Sequence, residues 1–206
     1  MQITKIEKQA KRDRYNVHAD GKFVAALDAG VLAGAGLSEG DILTNVELAT
    51  LLQRERFAKA LAKAYQLLAR RSHSVSELTR KLGERGFGTA LAVAACEHLG
   101  ERGYLDDRAF AKQWVTYRGG TRGNRLLRME LRKRGVADDV ITEALAEGER
   151  DQLTSAKSLA RRRLERFRDA PPEVVTEKLG AFLVRRGYDY ATARAAVSEL
   201  VTTGKS

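Results

Sequence analysis

A chain of 206 residues, 43% of them hydrophobic and 31% charged, is long enough for one or two compact domains and too apolar to remain disordered. Its 37 basic residues against 27 acids give a formal charge of +10, carried mostly by arginine, whose planar fork suits phosphate and carboxylate oxygens, so a polyanionic partner is expected. The single cysteine, Cys96, excludes an internal disulfide, and with only His18, His73 and His98 for company it excludes a cysteine-rich zinc site, so a reducing compartment is expected.

Met1 leads directly into a polar, charged segment, and the apolar stretch over residues 24–37 is broken by Asp28 and several glycines. Neither secretion nor membrane spanning is expected, and the protein reads as cytoplasmic. The segments "ITKIEKQ", "RYNVHADG" and "KFVAAL" alternate apolar and polar residues, which predicts two or three short strands with Asp20-Gly21 as a hairpin turn. "AGVLAGAGLSEGDIL" adds a short helix, a turn and room for another brief strand, and helical periodicity starts near Val46. Residues 1–50 therefore read as a small mixed module.

From about residue 55 to residue 200 there is no strand signal, and the two prolines of the chain are Pro171 and Pro172, so this region is predicted to be nearly all helix. "KLGERGF", "ELRKRGV" and "FLVRRGY" align on a leucine, an Arg-Gly pair and a following apolar or aromatic residue, and place Gly86, Gly135 and Gly187 roughly fifty residues apart. Each Arg-Gly marks a helix end, because glycine tolerates the left-handed conformation there and arginine suits the negative end of the helix dipole. Beyond each lies another apolar periodicity: Leu91, Ala95 and Leu99; Val140, Ala144 and Leu145; Ala193, Val197 and Leu200. In front lies one more: Phe57, Leu61 and Leu68; Phe110, Trp114 and Tyr117; Ala156, Leu159 and Phe167. The unit is a three-helix bundle, repeated over residues 51–105, 106–148 and 149–206, and tandem units predict an elongated, mainly α molecule. Ser74 with Glu77 reads as a capping box, and Pro171 and Pro172 suit a first helical turn.

Between the first two units lies "ERGYLDDRAFAKQW". Arg102-Gly103 repeats the helix stop, Asp106 or Asp107 can cap the next helix, and Tyr104 and Leu105 are expected to pack between units. Reading the two aspartates as a catalytic or magnesium-binding pair would require a third acid, a base or a phosphate-binding loop, and none is adjacent.

"RGYLDDRAFAKQW", with its glycine, aromatic and paired aspartates (Gly103, Tyr104, Leu105, Asp106, Asp107) ahead of Phe110, resembles the RecX family of bacterial regulators of the RecA recombinase, as do "RLLRMELRKRGV" and "ITKIEKQAKRDRYNV". The likeness runs over nearly the whole chain, with "GYLDDRAFA" its most specific piece and the third repeat matched only in periodicity. It implies tandem three-helix repeats and no enzymatic activity. It further implies a role in homologous recombination, DNA repair and the SOS response: binding RecA, lodging in the groove of its filament on single-stranded DNA, and suppressing ATP hydrolysis, filament growth and strand exchange. The extended N-terminal segment belongs to only some members of the family.

The densest basic run holds Arg118, Arg122, Arg125, Arg128, Arg132, Lys133 and Arg134 against Glu130, around the link "GGTRGN". Arg125, Arg128 and Arg132 are predicted to share one exposed helix face. A second run holds Lys157, Arg161, Arg162, Arg163, Arg166 and Arg168 against Glu165. Two arginine-rich runs on successive repeats point to an acidic protein surface or a phosphate backbone. Phe110, Trp114 and Tyr117 could stack on single-stranded bases, but their spacing is that of a core stripe, which is the preferred reading.

Other constellations lead nowhere. The terminal "GKS" lacks the upstream glycine of a phosphate-binding loop, "GGTRG" follows no strand, His73 and Ser74 sit where a serine caps a helix, and Cys96 reads as a small buried side chain. The sequence therefore predicts a monomeric regulator without cofactor, directed at the recombinase filament. The alternative is a protein that competes for single-stranded or double-stranded DNA through its basic helical faces.

Overall fold

The computed structural model describes residues 1–10, 13–148, 151–167 and 170–203. Arg168 and the terminal "GKS" lie outside the described residues. The rest is mostly helical, with three strands and ten α-helices among the described residues.

Strands β1 (Ile3–Lys8), β2 (Arg14–Ala19) and β3 (Lys22–Asp28) form an antiparallel sheet in that order. The Asp20-Gly21 turn takes φ of +50° and +75°, the left-handed pair that a tight hairpin of matching twist requires. One face of the sheet sends Ile3, Val17, Ala25 and Leu27 into a core closed by Leu43 and Leu51. Helix α1 (Ala29–Ala35) follows, capped by the Asp28 carboxylate on the Gly30 N–H. The expected further strand reduces to a bridge between Gln2 and Ile42, while the backbone of residues 40–43 bonds to Met1 and Ile3 and covers that end of the sheet edge.

Helix α2 (Asn45–Leu68) starts in a reciprocal capping box, Thr44 with Glu47, and runs unbroken past residue 50. Its buried Glu55 pairs with Arg14 at 2.7 Å and accepts the Asp28 N–H at 2.7 Å, which ties α2 to the sheet.

The chain divides into two compact units: Met1–Arg71 with Leu78–Glu101, and Ser72–Glu77 with Arg102–Ser206. The first contains the sheet, α1, α2, α4 (Thr89–Glu101) and all of α3 (Val75–Gly83) beyond its first turn. There Cys96 is buried and accepts a hydrogen bond from Thr79 Oγ1, and burial pushes its thiol pKa up, so it is the packed side chain that the sequence suggests. The second unit holds two three-helix sets. Helices α5 (Asp107–Arg118), α6 (Asn124–Arg132) and α7 (Asp138–Glu147) close on Phe110, Val115, Leu127, Leu131 and Ile141. Helices α8 (Gln152–Leu164), α9 (Pro172–Arg185) and α10 (Tyr190–Thr203) close on Leu159, Leu179, Leu183, Tyr188 and Val197.

The Arg-Gly pairs end helices as predicted: Gly86, Gly135 and Gly187 have φ of +83°, +74° and +90°, and Gly103 after α4 has +73°. Arg85 and Arg134 reach back to the carbonyls of Lys81 and Glu130, one turn upstream, and satisfy last-turn acceptors. Two of these ends are also joints within the second unit. The carbonyls of Arg186 and Gly187, after α9, accept the N–H groups of Gly123 and Arg125, at the start of α6. The Arg134 carbonyl, after α6, accepts the hydroxyl of Ser74, whose oxygen in turn accepts the Glu77 N–H in the first turn of α3. Helix end thus meets helix start twice, with dipoles aligned. The fit leaves no space for a side chain: a Cβ on Gly123 would lie 2.3 Å from the Gly187 carbonyl carbon, and one on Gly187 2.3 Å from Leu126 Cβ. The start of α9 is Pro171-Pro172, which has no N–H to offer a further carbonyl.

Gly187→Ala is expected to destabilise the protein more than Gly86→Ala. Both replace a left-handed glycine, at a cost of about 1 kcal/mol, but nothing lies within 4 Å of a Cβ on Gly86. Urea-unfolding midpoints should rank wild type above Gly86→Ala above Gly187→Ala; equal losses would contradict the joint.

Candidate partner and nucleic-acid interface

The paired aspartates ahead of α5 cap two different helices. Asp106 is the N-cap of α5, accepting the N–H groups of Arg108 at 2.7 Å and Ala109 at 3.2 Å. Asp107, in the first turn of α5, turns to α3 and accepts the Val75 N–H at 2.8 Å. Burial raises the Asp107 carboxyl above the ordinary range, the hydrogen bond from Val75 opposes that, and the charge of Asp106 adds to it. Both carboxylates therefore serve helix starts. No group of three His, Cys, Asp or Glu among the described residues could hold a metal ion. Leu105 is buried as expected, whereas Tyr104 is 60% exposed and does not fill the packed position that the sequence suggests.

The aromatic stripe also needs correction. Phe110 is buried and Trp114 is half-buried, but Tyr117 is 86% exposed. The buried seam of α5 is centred on Ala111 and Val115, which leaves Tyr117 at its margin near the helix end. Trp114 is no open stacking platform. Its indole carries the guanidinium of Arg118 at 4.2 Å and that of Arg134 at 3.7 Å from the ring centroid, and its N–H donates to Glu130 at 2.9 Å. The other oxygen of Glu130 takes Arg122 at 2.7 Å. Glu130, which the sequence shows only as the lone acid of a basic run, is the hub of this cluster.

The structure thus sorts the candidate cations by what already engages them. Arg118, Arg122 and Arg134 are half-buried in the α5–α6 cluster, and Arg163 lies over the Phe182 ring, 4.9 Å from its centroid. On the outer side of α6, Arg132 makes a two-pronged pair with Asp138, which holds that carboxyl below its ordinary range, Arg128 donates to Thr142, and Arg125 donates to the Val184 carbonyl. Arg125, Arg132 and Lys133 are exposed, whereas Arg128 is half-buried, so the predicted stripe is only partly open. On α8, Lys157 pairs with Glu199. Arg161, Arg162 and Arg166 are exposed, and no side-chain hydrogen bond or ion pair among the described residues engages them. Ser74 is wholly buried, and the adjacent His73 lies 3.2 Å from the Glu77 carboxylate. A buried serine whose hydroxyl already bonds the Arg134 carbonyl is a cap and joint, not a nucleophile.

Four family models match the chain in order: the RecX N-terminal domain over residues 1–44, and the first, second and third RecX three-helix domains over 60–99, 106–145 and 150–197. The chain is 27% identical to the regulatory protein RecX of Leuconostoc mesenteroides subsp. mesenteroides, over 97% of this chain and 76% of that one. It is 26% identical to the regulatory protein RecX of Clostridium botulinum, over 97% and 96%. Among solved structures, a crystal structure of regulatory protein RecX shares 26% identity and a TM-score of 0.77 over 98% of both chains. That of RecX from Lactobacillus salivarius shares the fold, with a TM-score of 0.64 and 19% identity over 71% of this chain and 97% of that one.

Asp106→Ala and Asp107→Ala are each expected to lower stability by about 1 kcal/mol through a lost helix cap. Asp107→Asn should cost less than Asp107→Ala, because it keeps an acceptor for Val75 and removes a charge that burial disfavours. Denaturation midpoints of the three variants check this order; an Asp107→Asn variant as unstable as Asp107→Ala would contradict it.

Proposed function

The chain belongs to the RecX family, and from that premise we propose that it is a cytoplasmic, monomeric negative regulator of a RecA recombinase. It binds the recombinase filament on single-stranded DNA and suppresses ATP hydrolysis, filament growth and strand exchange. The observation that carries this reading is the run of all four family domains in order along the chain.

The arginines divide the work. Arg118, Arg122, Arg134 and Arg163 hold the fold, and removing them would act on binding only through loss of structure. Arg161, Arg162 and Lys133, with Arg125, Arg128 and Arg132 in support, face outward and meet an acidic protein surface or the DNA phosphates. A long, shallow set of charge contacts suits a filament, where several weak contacts along one groove add up to useful affinity without a deep pocket.

Direct competition for DNA is the second reading, favoured by Arg161 and Arg162 on α8 and Arg166 just after it, which nothing in the described chain engages. Phosphate contacts would then give binding to bare strands that falls steeply with salt.

Arg161→Glu combined with Arg162→Glu and Lys133→Glu is expected to weaken filament binding about tenfold or more, with circular dichroism and unfolding midpoint unchanged. Trp114→Ala is expected to do the reverse, lowering the midpoint first. Fluorescence anisotropy against preformed filaments measures the binding. Wild-type affinity in the triple variant would remove these cations from the interface.

A further inference from the structure

A groove of about 570 Å³ opens between α9 and α10 within the second unit. Its α9 wall is a stripe at helical spacing whose centre is Gly180 and Ala181, followed one turn later by Val184. Across it, α10 contributes the buried Ala193 and Val197, and Tyr190, 76% exposed, stands at the rim. The lining is thus mostly aliphatic, and its solvent-facing part comes from Gly180, Ala181, Val184 and Tyr190.

Gly180 is the informative residue. Glycine inside a 14-residue helix weakens that helix relative to alanine. At the helix boundaries, Gly187 needs a positive φ and lies against Leu126, and Gly123 lies against Gly187, whereas Gly34 in α1 and Gly83 in α3 share with Gly180 an ordinary φ and open space at Cβ. Gly180 has no positive φ, and a Cβ there would meet nothing within 4 Å. Packing within the chain does not call for it, and its bare backbone on the groove wall leaves room for close approach from outside.

The rim says what that something is. Arg185 and Arg194 border the groove against one acid, Glu177, so an apolar floor lies under a net positive edge. We propose that this groove docks an acidic amphipathic helix of a protein partner, whose aliphatic side chains cover Gly180, Ala181 and Val184 and whose carboxylates meet Arg185 and Arg194. A nucleic-acid strand fits less well, since its bases would find aliphatic carbon where they need rings to stack on. The inference rests on the groove alone and holds whichever protein carries the helix.

The probe is a fluorescein-labelled helical peptide of leucine at i, i+3, i+4 and i+7 with glutamate on the flanks, measured by anisotropy beside its lysine counterpart and a single-stranded oligonucleotide. Wild type should prefer the glutamate peptide. Gly180→Leu should weaken that binding about tenfold or more, yet fold normally, because its side chain enters open space and leucine favours helix. Arg185→Glu with Arg194→Glu should transfer the preference to the lysine peptide. Oligonucleotide binding should be the same in wild type and Gly180→Leu. Equal binding of the two peptides by wild type, glutamate-peptide binding unaffected by Gly180→Leu, or loss of oligonucleotide binding in Gly180→Leu would each overturn the proposal.

Discussion

The second unit depends on the seating of one helix end against the start of another. Without Gly187 in a left-handed turn, the carbonyls of Arg186 and Gly187 could not reach the N–H groups of Gly123 and Arg125, and with any larger residue at 123 or 187 the two backbones would collide. The joint between α6 and the first turn of α3 has the same logic with a hydroxyl in place of an amide: Ser74 donates to the Arg134 carbonyl, and a Cβ on Gly135 would strike Ser76. Each joint satisfies polar groups that helix termini otherwise leave open, and sets opposite dipole ends together. The series that they build is directional. At α9 the N-cap is Pro171, which lacks the N–H that Gly123 supplies at the N-cap of α6, so the start of α9 cannot reproduce that joint in full.

The joints also explain why so many arginines can be spent on the fold without emptying the surface of charge. The arginine before each glycine is fixed by position: Arg134 caps its own helix and covers Trp114, and Arg186 lies over Phe182, 5.3 Å from the ring centroid. Arg118 and Arg122 complete the Trp114 and Glu130 cluster. What remains outside on α6 and α8 is a smaller set of cations than the two basic runs count in sequence.

The repeat was legible because its punctuation is local. An Arg-Gly pair declares a helix end within a few residues, and Asp20-Gly21, Asp106 and Pro172 are equally short-range signals, so strands, helices and caps could be placed from sequence. The Thr44 and Glu47 box is an equally local signal, and it starts α2 ahead of residue 50, so the predicted edge of the N-terminal module falls inside that helix. Long-range partners were not legible. Asp107 serves Val75, 32 positions away, and nothing in "LDD" says so. Glu130 looked like a diluent of positive charge because its indole and guanidinium partners come from α5 and the link after it. Tyr117 shares a seven-residue spacing with Phe110, but the seam that neighbours bury is centred elsewhere on α5. The same limit applies to the binding face: sequence counts arginines, and only packing shows which are already engaged.

The proposed target of the protein is a recombinase filament and not DNA. The most direct measurement follows single-stranded-DNA-dependent ATP hydrolysis by the cognate RecA recombinase as this protein is added below one copy per protomer, with its binding to bare DNA recorded in parallel. A filament-directed regulator should lower hydrolysis well below stoichiometry, while most bare DNA is still unbound. Hydrolysis lost only as DNA becomes saturated would contradict it and leave competition for DNA as the mechanism.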